Sequence, residues 1–100
     1  MDVEAVVKPS GNLPRHKYRS RDEIEAEILQ CTQKGAFRSH IKQHCNLNYS
    51  QLFTYITVLI EEGLLEERKI NIGAKEHKNF ITTEKGLRWL YLHQEMMTLK

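Results

Sequence analysis

The chain has few residues that bend or staple a backbone. Two prolines and five glycines in 100 residues exclude a collagen-like or low-complexity chain. Two cysteines fall short of a disulfide-dense scaffold. No apolar run approaches the roughly 20 residues that span a bilayer. The opening MDVEAVVKPSGN carries acids and lacks a charged-then-apolar leader, so a cytoplasmic chain is expected. An excess of one charge is also nearly missing, at +2 overall. What remains is a single domain with one modest core.

The small excess is unevenly placed. Residues 1–21 hold Lys8, Arg15, Lys17, Arg19 and Arg21 against Asp2 and Glu4, while residues 22–100 hold ten Lys/Arg against eleven Asp/Glu. Both prolines lie in residues 1–19, around Ser10-Gly11-Asn12, so this stretch reads as a flexible basic arm. Val3, Val6 and Val7 could form a short strand within it. Such an arm either tracks phosphates or is a solvated tail.

Helical signals begin at Ser20. It can cap a first helix, Glu23 completes a capping-box spacing, and Asp22 and Glu25 add negative charge near the positive end of the dipole. Ile24, Ile28 and Leu29 form the inward stripe, bordered by Ala26 and Cys31, and Gly35 ends the segment. Phe37–Gln43 reads as a second helix, with Phe37 and Ile41 inward and Arg38 and Lys42 sharing an outer edge. His44-Cys45-Asn46 supplies the turn. The third helix runs from Tyr49 to Glu62, capped by Asn48 with Gln51 three residues on. Leu52, Ile56, Leu59 and Ile60 line its inner side, and Gly63 stops it.

Two strands follow, Leu64–Ile70 and Lys78–Thr82, with Phe80 inward and Asn71–His77 as a loose connection. A last helix spans about Glu84–Leu99. It is apolar on two sides, Leu87, Leu90 and Tyr91 on one, Trp89, Leu92, Met96 and Leu99 on the other. The second side covers either another copy of the chain or its own domain. The fold class is therefore α+β, mainly α. It comprises a winged helix-turn-helix of three helices with a β-hairpin wing over residues 20–83, and a dimerisation helix over residues 84–100.

The segments Cys45-Asn46-Leu47-Asn48-Tyr49-Ser50-Gln51-Leu52, Leu59–Leu65 and Thr83-Glu84-Lys85-Gly86 carry a resemblance. They are similar to the A-x-L-S-Y-x-Q-L, L-I-E-x-G-L-L/I and T-x-K-G segments of small archaeal winged helix-turn-helix transcriptional regulators. That group includes a dimeric chromatin-type protein of Sulfolobus. The resemblance covers about residues 18–99. It implies that the third helix enters the major groove, that the wing and flanks contact backbone, and that the final helix dimerises. Two departures stand out. Phe37-Arg38-Ser39 replaces a Lys- or Thr-rich start of helix two, and a last helix ending at Lys100 makes any coiled coil short.

The partner expected on these grounds is double-stranded DNA, bound by a homodimer at the nucleoid, with no membrane, small-molecule ligand or cofactor called for. Base reading would fall to Ser50, Gln51, Thr54 and Thr57 from the front of the third helix. Gln51 is equally placed for the cap, which would remove it from reading. Tyr49 and Phe53 either read or pack at the helix-turn-helix edge, packing being commoner. The third helix has no Lys or Arg, so backbone contacts must come from Arg15, Lys17, Arg19, Arg21, Arg38, Lys42, Lys75, His77 and Lys78. Each of these is equally a candidate for simple solvated charge. Helix contacts between copies would fall to Trp89, Leu92, Met96 and Leu99.

Other chemistry is weakly supported. Cys31, His40, His44 and Cys45 lack a CxxC pair, so no metal site is assigned. Their two thiols suit small core residues, or a disulfide only in a hyperthermophile or oxidising compartment. No nucleophile–base set or phosphate-cradling glycine loop occurs, so an enzyme is not expected. The alternative function is a winged-helix protein–protein adaptor without DNA binding.

Overall fold

A computed structural model describes residues 19–98. The arm through Tyr18, including Arg15, Lys17 and the valine segment, lies outside the described residues, as does Leu99. The elements are α1 (Arg21–Cys31), β1 (Ala36–Phe37), α2 (Arg38–Cys45), α3 (Tyr49–Glu61), β2 (Leu65–Ile72), β3 (Lys75–Thr82) and α4 (Glu84–Thr98). The sheet order is β1-β3-β2, antiparallel throughout. Among the described residues, no helix is long and apolar enough to cross a membrane.

Local chemistry explains the helix ends. Ser20 and Glu23 form a reciprocal capping box at α1, its N–H groups satisfied at 3.1 and 2.8 Å. Asn48 and Gln51 do the same at α3, at 2.7 and 3.0 Å. Between α2 and α3 the chain reverses in a Schellman closure. Asn46 adopts the left-handed conformation (φ 56°), its N–H donates to the Gln43 carbonyl, and the Leu47 N–H donates to the Lys42 carbonyl at 3.0 Å. Leu47 is buried beneath that turn. The same closure ends α3, where Leu64 N–H reaches the Leu59 carbonyl at 2.9 Å.

The core gathers Ile24, Ile28 and Leu29 from α1, Ile41 and Cys45 from α2, Leu52, Ile56 and Leu59 from α3, Phe80 from β3 and Leu90 from α4. Each fully buried aliphatic or aromatic side chain contributes about 1.5–3 kcal/mol of transfer free energy. Thr32 and Thr82 bring a polar stitch into this core. Their hydroxyls are 2.7 Å apart, so one donates to the other, and the accepting hydroxyl gives its own proton to an α1 carbonyl, Ile28 lying 2.8 Å from Thr32 Oγ1 and Leu29 2.6 Å from Thr82 Oγ1. Every hydroxyl thus has a partner, as burial requires.

The Thr83-Glu84-Lys85-Gly86 run seats α4. Thr83 Oγ1 donates to the Gly63 carbonyl at 2.6 Å and accepts from Gly86 N–H at 3.0 Å. Lys85 Nζ donates to the Glu62 carbonyl at 2.9 Å, closing the end of α3. A Cβ on Gly86 would lie 2.2 Å from the Leu64 carbonyl oxygen, so only glycine permits this approach. The run is therefore a joint between α3, the sheet and α4.

Several sequence expectations are corrected. Phe37 is not inward. It opens β1 with Ala36, and the period of two turns Ala36 into the core and Phe37 out, edge-on to His77 at 6.0 Å. α2 accordingly starts at Arg38 and runs through Cys45 rather than ending at Gln43. α1 stops at Cys31, before Gly35. Leu87 and Tyr91 are exposed, whereas Leu90 and Gly86 face the domain with Trp89 half-buried beside them. The loose wing is a tight hairpin: Ile72 pairs with Lys75, so the turn is Gly73-Ala74 alone. Gly73 takes positive φ (64°) and Ala74 does not, the two-residue geometry that suits a twisted hairpin.

The two thiols meet at the ends of α1 and α2. Cys31 Sγ donates to the Ile28 carbonyl at 3.4 Å. A hydrogen bond to Cys31, reinforced by burial, pushes the Cys45 thiol well above its ordinary range, while the same bond draws Cys31 down. Both cysteines are free.

Candidate nucleic-acid interface

The outer side of α3 follows from its own periodicity. With Leu52, Ile56 and Leu59 buried, Ser50, Phe53 and Thr54 are exposed and Thr57 is half-buried at their border. From Tyr49 to Ile60 the helix carries no charged side chain. Tyr49 and Phe53 do not pack at the helix-turn-helix edge but stand out, 63% and 70% exposed. A pair of aromatics this accessible beside small hydroxyl residues is the unusual property of the face.

The hydrogen-bonding groups are partly engaged. Gln51 accepts the Asn48 N–H at its Oε1, which engages in the cap the carbonyl that a two-point adenine contact would use. Thr54 Oγ1 donates to the Ser50 carbonyl at 3.0 Å, so its donor is turned to its own helix. Ser50, Gln51 and Thr54 border one hollow of about 320 Å³ together with Arg21.

Cations are supplied by the neighbouring elements. On α2, Lys42 Nζ lies 4.9 Å above the Tyr49 ring, which sets an ammonium beside the front of α3. Arg38 stands 5.7 Å from the Phe80 ring centroid. Arg38, His77 and Lys78 border a second hollow of about 490 Å³ between α2 and the wing. Lys75 follows the hairpin turn, exposed.

Two wing cations, Arg68 and Lys69, were not singled out as backbone contacts, although they fall within the strand expected over Leu64–Ile70, which continues past them to Ile72. Lys69 stands directly opposite Lys78, a like-charge pair that an approaching anion would relieve. Lys78 also lies 3.8 Å from Glu67, an exposed and weak pairing. Four cations and one carboxylate occupy residues 68–78. Their signal was the register itself, which the sequence did not display.

Two arginines grouped with the arm have partners inside the domain. Arg19 pairs through Nη1 with Glu27, and its Nη2 donates to the Cys45 carbonyl at 2.8 Å, tying the start of α1 to the end of α2. Arg21 Nε donates to Glu25 at 3.0 Å, and that carboxylate raises the arginine pKa. Glu25 is buried, so Arg21 compensates a charge that burial would otherwise penalise. Along α4, Trp89, Leu92 and Met96 gather with His93 and Asp22 around a small hollow of about 150 Å³. Among the described residues, no cluster of three or more His, Cys, Asp or Glu is placed to hold a metal.

Helix-turn-helix, hairpin and closing helix, in this order and packing, define a winged helix. The chain belongs to the winged helix-turn-helix family, whose pattern matches residues 18–100. No curated protein matches the sequence significantly. Among solved structures it is similar to smu.1704 of Streptococcus mutans UA159, with a TM-score of 0.70 and 23% identity over 82% of this chain and 85% of that one. It is similar to the DNA-binding protein Sso10a-2 of Sulfolobus solfataricus at TM-score 0.68 and 22% identity, covering 81% of each. A PadR family transcriptional regulator of Eggerthella lenta DSM 2243 also matches at TM-score 0.68 and 21% identity, over 79% of this chain and 75% of that one.

Proposed function

We propose that this chain binds double-stranded DNA as a homodimer, acting in the cytoplasm as a transcriptional regulator or a small chromatin-associated protein. The observation that carries the reading is the division of labour around α3. An uncharged, exposed helix face has Lys42 of α2 at its front, while Arg38 on α2 and Arg68, Lys69, Lys75 and Lys78 on the wing supply further cations on the neighbouring elements. A helix placed in the major groove would read base edges while those cations meet the phosphates on either side. The DNA-binding and regulator neighbours, alike in fold, support it. No cofactor or catalytic group is needed.

Fluorescence anisotropy with a 30-bp duplex tests this reading. With about four to six phosphates neutralised per subunit, and so roughly eight to twelve by the dimer, affinity should fall roughly 10⁴- to 10⁶-fold between 50 and 200 mM salt. A folded protein that binds no duplex at low salt would overturn it.

The dimer is assigned to the side of α4 carrying Trp89, Leu92 and Met96. Met96 is 68% exposed on this side, an apolar surface that needs cover. Trp89→Ala combined with Met96→Ala should give a monomer by light scattering after gel filtration. A dimer of unchanged mass would move the interface elsewhere.

A second reading, a protein–protein adaptor, draws on the same exposed Phe53 and Tyr49. Such a protein would be indifferent to DNA at every salt concentration.

A further inference from the structure

We infer that α3 recognises thymine through its 5-methyl group, with Phe53 as the contacting side chain, an inference that rests on the DNA-binding reading above. The major groove offers one apolar group, the methyl of thymine, and phenylalanine and threonine methyls are side chains that meet it. Phe53 lies on the second turn of α3, 70% exposed, three residues after Ser50 and four before Thr57. A large ring held in water at this point of the helix is unfavourable in the free protein, and burial against a methyl would recover that loss.

The rest of the face narrows the choice. A guanine reader needs Arg or Lys, and α3 has neither. A two-point adenine contact needs the Gln51 carbonyl, which accepts the Asn48 N–H. A cytosine reader needs a carboxylate, and Glu61 stands at the far end of the helix, beyond the front turns. The apolar rings are what the front half of α3 presents. Charge decides between occupants. Lys42 sits over the Tyr49 ring at 4.9 Å, so the apolar patch carries an ammonium at its border. An apolar patch with a cation at its edge fits a methyl-bearing groove beside a phosphate row.

Two duplexes that differ only in the methyl test this. They are a 30-bp alternating d(AT) hairpin and its d(AU) counterpart, titrated with the intact chain at equal salt. The wild type should bind d(AT) more tightly, by roughly four-fold for each methyl buried. Phe53→Ala should reduce d(AT) binding to the d(AU) level and abolish the preference, with the salt slope unchanged. Equal wild-type binding to both duplexes, or a preference that survives Phe53→Ala, overturns the thymine assignment and leaves DNA binding intact. Binding of neither duplex by folded protein ends both readings and favours the adaptor.

Discussion

Gly86→Ala should destabilise the domain by about 2 kcal/mol or more, although alanine is the better helix former by about 1 kcal/mol. The reason is a contact with backbone, which cannot rotate away as a side chain can. A Cβ at this position lies 2.2 Å from the Leu64 carbonyl oxygen and 2.7 Å from Thr82 Cγ2. The Leu64 carbonyl is itself held, accepting the Thr83 N–H at 3.0 Å. Relief would therefore require α4 to lift from the sheet, exposing Leu90 and parting the Thr83–Gly63 bond. Urea unfolding followed by far-UV circular dichroism measures the effect. An unchanged midpoint would mean that α4 does not sit on Leu64 in this way. Lys85→Ala serves as a comparison, because it removes one exposed bond to the Glu62 carbonyl and should cost well under half as much.

Removing the cations that frame α3 should flatten the salt dependence of DNA binding. In the variant carrying Arg38→Ala, Lys42→Ala, Lys75→Ala and Lys78→Ala, which removes eight cations from a dimer, the slope of log K against log salt should become shallower by roughly 7. Affinity at 50 mM salt should fall by at least two orders of magnitude, roughly, if each contact is made. These side chains lie on the surface, so folding should be little changed. Arg19→Ala should behave in the opposite sense. It unpairs Glu27 and frees the Cys45 carbonyl, so it should lower stability while leaving the slope nearly unchanged. A quadruple variant with an unaltered slope would place the phosphate contacts outside α2 and the wing.

Much of the frame was legible because it rests on local rules. Ser20 with Glu23 and Asn48 with Gln51 form both boxes that their spacing predicts. The stripes of α1 and α3 bury as their periods require. What stayed hidden depends on partners distant in sequence. β1 has two residues, and only its pairing with Asn79 and Phe80 decides that Ala36, not Phe37, turns inward. β2 shows no alternating burial, because beyond Leu65 it is exposed on both faces. Hence its extension to Ile72, and the register that sets Lys69 opposite Lys78, could not be read from periodicity.

The candidate face was legible in part for the same reason. Ser50, Gln51, Thr54 and Thr57 fall where helical spacing sends them, exposed or at the border. The competition between cap and reading at Gln51 was visible as spacing, yet its resolution toward the cap needed coordinates. Phe53 and Tyr49 run against the ordinary tendency of aromatics to bury, so a pattern argument favours the wrong side. Arg19 looks like part of a basic tail, and only the position of Glu27 and the end of α2 gives it a structural task.

The central claim is that α3 and the wing together form the DNA-contacting face. Backbone amide chemical shifts, followed by nuclear magnetic resonance as a 30-bp duplex is added at low salt, test it most directly. The account predicts shifts over Tyr49–Thr57, the start of α2 and the hairpin around Gly73, with the core of α1 quiet. Shifts confined to α4, or none in a folded protein under those conditions, would contradict it.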